Sequence, residues 1–125
     1  GNPMASLTTA QLRVAESGAL IEAAWALMQR DCDVALEIGR VGRLTTVEDR
    51  AFWRRNNAYA GVMCIRAADI LHPLIGARGL VPESDFMRAW RDIHAATMQI
   101  NMAWDRHAIS AAEIQLGLTP TDPRV

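Results

Sequence analysis

The chain has 125 residues, half of them hydrophobic and 22% charged, with a formal net charge of −1. That balance describes one globular domain able to bury a core, and it excludes a disordered segment. Interspersed charges of both signs exclude a nucleic-acid grip, which needs a basic patch.

All thirteen basic residues are arginine. Lysine Schiff-base chemistry is therefore excluded, and with the abundant alanine the composition suggests a GC-rich bacterial genome. Cys32 and Cys64 lie far apart in apolar helical stretches. They are expected to be free, buried small hydrophobes, consistent with a cytoplasmic protein. No CxxC or Cys/His zinc spacing exists. No signal-peptide pattern opens the chain, and the longest uncharged run is too short to span a bilayer. Gly1-Asn2-Pro3 ahead of Met4 reads as a remnant of cloning, with the natural chain beginning at Met4; a domain cut from a longer enzyme is the other reading. Residues 1–7 are expected to be tag and disordered N-terminus.

Thr8-x-x-Gln11 has the form of a capping box, opening a helix that runs to about Ile38 with Gly39 as its stop. Val14, Gly18, Ile21, Trp25, Met28, Cys32 and Ala35 recur at steps of four and three, the seam of a long bundle helix. A second apolar row, Leu20, Ala24, Leu27, Val34 and Ile38, runs beside it and is interrupted by Asp31. Two adjacent apolar rows imply burial against more than one neighbour. The short link from Gly39 to Thr46 makes the next helix antiparallel. Thr45-x-x-Glu48 reads as its capping box.

The second helix is expected from about Val47 to about Ile75, with a seam of Phe52, Tyr59, Met63, Ala67, Ile70 and Leu74. Arg66, Asp69 and His72 are three apart and can interact on one face. Pro73 removes a backbone donor and should loosen the last turn. Gly76-Ala-Arg-Gly-Leu80 permits a tight turn. Ser84 and Asp85 are N-cap candidates for a third helix reaching about Asn101.

That third helix carries Arg88-Ala-Trp-Arg-Asp-Ile-His-Ala-Ala-Thr-Met-Gln99. Phe86, Trp90, Ile93, Thr97, Ile100 and Trp104 form its apolar face. Arg88, Arg91, Asp92, His94 and Gln99 lie beside it. Such a cluster serves either as a site or as an Arg–Asp lock between helices. A final helix spans about Trp104 to Leu116, no proline separates it from the third so that the two can be continuous, and Gly117 ends it. Residues 118–125 are an extended tail. The fold class is all-α, an antiparallel four-helix bundle over residues 8–117.

Gly76-Ala-Arg-Gly-Leu80, the Arg88-Ala-Trp-Arg-Asp-Ile-His-Ala95 run and the closing Gly117-Leu-x-Pro resemble the C-terminal helical domain of acyl-CoA-dehydrogenase-fold proteins. The most similar branch is the flavin-dependent monooxygenases of two-component systems, which hydroxylate phenols. The resemblance implies a four-helix bundle that packs against a second helical domain and a β-barrel and that builds oligomer interfaces. It implies that the turn at Gly76, Arg78 and Gly79 approaches a reduced flavin (FMN or FAD), here only with a partner chain that supplies the flavin domains. It also implies a histidine five residues beyond His94. This chain has Gln99 there, which cannot act as a general base.

The acid–base candidates are His94, Asp92, Asp69 and His72. A pocket between helices would be lined by Trp25, Tyr59, Met63, Trp90, Met98, Gln99 and Trp104. One Asp69-x-x-His72 motif is too little for a carboxylate-bridged metal centre, so no metal is expected. Three functions are open: a split or truncated oxygenase module in bacterial metabolism of an aromatic or polyketide-like compound, a cofactor-independent small-molecule-binding or intermediate-shaping protein of cyclase or isomerase type, and a structural dimerisation module. A homodimer or higher oligomer is expected in each, with an apolar or aromatic small molecule as ligand in the first two.

Overall fold

The computed structural model describes residues 3–79 and 81–125, without the side chain of Arg78. The expectations for Gly1, Asn2, Leu80 and the Arg78 side chain therefore fall outside the described residues. The helices are α1 (Thr8–Val41), α2 (Val47–Leu71), the single turn α3 (Gly76–Gly79), α4 (Asp85–Ala96) and α5 (Trp104–Gln115). Among the described residues there is no strand, and no helix is long and apolar enough to cross a membrane. The expected all-α four-helix arrangement is what forms.

Local chemistry sets most boundaries, with shifts of a few residues. Leu7, not Thr8, is the N-cap of α1 and makes no side-chain cap bond; Gln11 instead donates to the Ala5 carbonyl at 3.0 Å. The helix runs through Gly39 and stops at Gly42, whose left-handed φ of 71° lets its N–H and that of Arg43 return to the last carbonyls. The α2 capping box sits one residue later than expected, on Thr46 and Asp49: each side chain bonds the other's backbone N–H, at 2.9 and 3.1 Å. Ser84 caps α4 by accepting from the Met87 N–H at 3.1 Å. The end of α2 tightens at His72–Leu74, around Pro73.

One correction is larger. The third helix ends at Ala96, and Thr97 to Ala103 separates it from α5. Thr97 Oγ1 bonds back to the Ile93 and His94 carbonyls, and Gln99 adopts extended backbone. Arg88 to His94 are helical as expected; Gln99 is not.

The centre of the molecule is α2, which packs against α1, α4, α5 and the Ile100–Met102 turn. Its antiparallel pairing with α1 is marked by cross-helix bonds along its length. Arg13 Nη1 donates to the Ile70 carbonyl at 2.9 Å, Ser17 Oγ to the Ala67 carbonyl at 3.2 Å, and Asn56 Nδ2 to both oxygens of Asp31. Small residues make this closeness possible: Ala51, Ala58, Ala60, Gly61 and Ala67 are all buried on α2. A Cβ on Gly61 would come within 2.7 Å of Met102 Cε and 3.0 Å of Thr97 Cγ2, so the glycine admits the linker between α4 and α5.

The row of α1 that faces α2 is Ala10, Ser17, Ala24 and Ile38, flanked by half-buried Leu20 and Leu27. The row expected to be the seam points outward: Trp25 is 71% exposed, Val14 59% and Ile21 50%. The chain gives α1 one long neighbour, and that neighbour takes the adjacent row. Cys32 is likewise exposed rather than buried, whereas Cys64 is half-buried and burial pushes its thiol up.

Candidate functional site

A polar cluster lies where α4 crosses the C-terminal end of α2. Asp69, near the end of α2, offers one carboxylate oxygen, Oδ1, to two side chains of α4. Trp90 Nε1–H donates to it at 2.9 Å, and His94 Nε2–H donates to it at 2.9 Å. Trp90 and His94 are four residues apart, so both lie on one face of α4. Their rings pack at 4.2 Å between centroids with planes tilted by 45°, and the His72 ring lies 5.3 Å from that of Trp90. Four of the sequence-nominated residues, Asp69, His72, Trp90 and His94, thus form one group. The expected Arg66–Asp69–His72 line does not form: Arg66 reaches across to Glu16 at 2.9 Å instead.

Beside this group runs an apolar groove of about 350 Å³ between α1, α2 and α4, whose walls include Ile21, Cys64, Leu71, Phe86, Trp90 and Ile93. Trp90 belongs to both features. Its ring lines the groove while its N–H is held by Asp69.

The other nominated residues are not brought here. Asp92 is exposed on α4, and Arg91 donates to the Pro82 carbonyl at 2.9 Å, tying the preceding loop to the helix. Met63 is buried in the α1–α2 core with Ala24 and Ala60. Tyr59 and Trp104 stack on each other at 4.9 Å, each partly exposed. Met98 is 85% exposed, Gln99 is exposed in the linker, and Trp25 lies on the outer face of α1. The pocket expected from these seven residues does not assemble within one chain.

Sequence reasoning missed His107. It is 4% exposed, and its Nε2–H donates to the Ile100 carbonyl at 3.1 Å, while Nδ1 is buried without a hydrogen-bond partner. This contact pins the linker to α5. No local signal distinguishes it from a surface histidine, because the acceptor is a backbone atom in a break that lacks both Gly and Pro. Among the described residues no group of three or more His, Cys, Asp or Glu side chains could hold a metal.

A flavin needs a slot for its ring system and donors for its polar edge. The turn that the resemblance assigns to it does not fit that need within this chain. Gly76 has a φ of 67° and open space around its missing Cβ, so backbone conformation accounts for the glycine. A Cβ on Gly79 would meet Ile75 Cγ2 at 1.7 Å, so packing inside the chain accounts for the second. Neither forms a cradle, and the groove beside Trp90 is open and apolar.

The family described as acyl-CoA dehydrogenase, C-terminal domain, matches residues 1–104. Over 123 residues the chain is 35% identical to the oxygenase component of FADH(2)-dependent resorcinol hydroxylase from Rhizobium sp. (strain MTP-10005), covering 95% of this chain and 30% of that protein. It is 34% identical over 116 residues to the oxygenase component of p-hydroxyphenylacetate 3-hydroxylase from Acinetobacter baumannii, covering 93% and 27%. The crystal structure of 3-HSA hydroxylase from Rhodococcus sp. RHA1 superposes with a TM-score of 0.88 at 27% identity, over 96% of this chain and 32% of that one. The chain thus spans about a third of the length of the proteins it matches.

Proposed function

The chain belongs to the acyl-CoA dehydrogenase C-terminal domain family, related to oxygenase components of flavin-dependent aromatic hydroxylases, and on that footing we propose that it serves as the helical module of such an oxygenase. It would act on a hydroxylated aromatic compound in a bacterial cytoplasm, a compartment that suits its two free cysteines. The flavin-holding parts come from protein outside these 125 residues. One observation carries the reading: the outer row of α1, with Val14, Ile21, Trp25 and Met28 all exposed, is an apolar strip of the kind that marks a protein–protein contact. In this reading the strip is covered in the working assembly, by flavin-holding domains or by another copy of the chain.

The test is a titration of FAD and FMN, oxidised and reduced, followed by flavin absorbance and fluorescence. It is run with the chain alone and with the protein segment that carries the remaining domains of a related oxygenase. Binding only in the mixture is the expected result; no binding in either overturns the proposal. A second reading, a cofactor-independent binder of an apolar intermediate, draws on the groove beside Trp90. It predicts saturable quenching of tryptophan fluorescence by planar apolar compounds in the chain alone, with no flavin requirement.

A further inference from the structure

We propose that Asp69 is a positioning residue that holds His94 in a single tautomer, making His94 Nδ1 the proton acceptor for a weakly acidic hydroxyl on a planar ligand beside Trp90. The inference rests on the oxygenase reading only for the class of ligand.

Asp69 Oδ1 lies 2.9 Å from His94 Nε2 and 2.9 Å from Trp90 Nε1. An indole N–H can only donate and a carboxylate can only accept. The carboxylate therefore accepts from both, and His94 must carry its proton on Nε2. Nδ1 is left with its lone pair, on the opposite edge of the ring from Asp69. The His94 side chain is 33% exposed, and Nδ1 is not among the buried atoms without a partner, which among the described residues are represented by His107 Nδ1 alone. This is the arrangement by which a carboxylate fixes the tautomer of a general base and stabilises the imidazolium that forms when the base takes a proton.

The neighbours define what the acceptor would meet. The Trp90 ring, held by the same carboxylate and packed on His94 at 4.2 Å, offers a flat apolar wall. Phe86 and Ile93 extend that wall along the groove. His72 on the flank of Trp90 is the one other imidazole of the cluster, and Asp69 is the carboxylate bonded within it. A planar compound stacked there with one acidic O–H directed to Nδ1 satisfies both features. The step is a proton transfer: the ligand O–H bond breaks, its electron pair stays on oxygen, and the proton forms an N–H bond at Nδ1. The resulting positive ring faces the Asp69 carboxylate through its Nε2–H. Gln99, exposed and in the linker, takes no part.

Nitrogen-15 spectra of the imidazoles of the intact chain test the first half. His94 is expected to show a protonated Nε2 and an unprotonated Nδ1 near neutral pH, with Asp69→Ala giving a mixture of tautomers; a mixed or Nδ1-protonated His94 in the unsubstituted chain overturns the proposal. The probe for the second half is 4-nitrophenol, whose phenolate absorbs in the visible. Addition of the chain at a fixed pH below the phenol's own midpoint should raise the phenolate fraction and shift the His94 ring signals. His94→Gln should abolish both responses without altering the helical circular dichroism. A phenolate response that survives His94→Gln, or no response in the unsubstituted chain, also overturns it. Asp69→Asn, which keeps an acceptor oxygen but no charge, should retain part of the tautomer bias and lose most of the phenolate response. Neither readout involves flavin, so failure here is distinguishable from failure of the oxygenase reading.

Discussion

The two faces of α1 share one apolar periodicity and meet opposite surroundings. The inner face, with Ala24 3% exposed and Ser17 2%, is closed against α2. The outer face, one step round the same helix, leaves Trp25 71% exposed. The inner residues are small and let two backbones approach. The outer residues are larger, and Trp25 and Val14 among them are mostly exposed. The difference teaches that hydrophobic periodicity identifies an apolar row without saying whether the chain itself covers it. Here small side chains mark the face closed against α2, and bulky ones mark the face that α2 leaves exposed.

Substitutions can break this contrast from either side. The largest effect is expected for Ala24→Leu, which forces extra volume between α1 and the Ala60–Met63 surface and should cost about 3 kcal/mol by overpacking, read as a lowered urea midpoint. Next comes Asn56→Ala. Buried Asn56 joins Asp31 of the inner face at 2.8 and 3.1 Å and accepts from Arg55, so its loss should cost about 2 kcal/mol in the same measurement. On the outer face, Trp25→Ser should change the unfolding free energy by no more than about 0.5 kcal/mol. It should also weaken any association of the chain seen by sedimentation. An outer substitution as damaging as the inner ones would show that the row is packed within the chain after all.

The smallest effect concerns acid. The Arg43 guanidinium, then the Thr46 N–H, holds the Asp49 carboxyl down at about 2. A carboxyl lowered in the folded state stabilises the fold above its unfolded value, and that contribution disappears as pH falls through the folded value. The start of α2 should therefore loosen between about pH 4 and pH 2. Asp49→Asn should flatten that part of the acid unfolding curve measured by circular dichroism.

Much of the fold was legible in the sequence because it rests on short-range chemistry. The Ser84 cap, the departure from α-helix at Pro73 and the stop at Gly117 each depend on atoms a few residues apart, although the turn at Pro73 tightens where loosening was expected. The first two caps were displaced by one residue: Leu7 takes the N-cap position of α1 with no side-chain cap bond, and Thr46 rather than the adjacent Thr45 accepts from the backbone N–H of Asp49. The break after Ala96 was not legible. It is held by Thr97 bonding back to its own helix and by His107 bonding forward to Ile100, with neither Gly nor Pro to announce it. The site divides the same way. Asp69, His72, Trp90 and His94 were nominated on residue type and helical spacing, and they do meet. Trp25, Met98 and Gln99 were nominated on the same grounds, and they do not join them.

By itself the sequence determined an all-α chain, the order of its helices and most of their ends, because periodicity and capping are properties of neighbouring residues. Only the tertiary structure decided which row of α1 is inside, since two apolar rows on one helix are equivalent until a second helix selects one. It alone decided that Asp69 serves Trp90 and His94 rather than Arg66 and His72. Those partners lie 21 and 25 residues away, and the angle at which α4 crosses α2 brings them into reach.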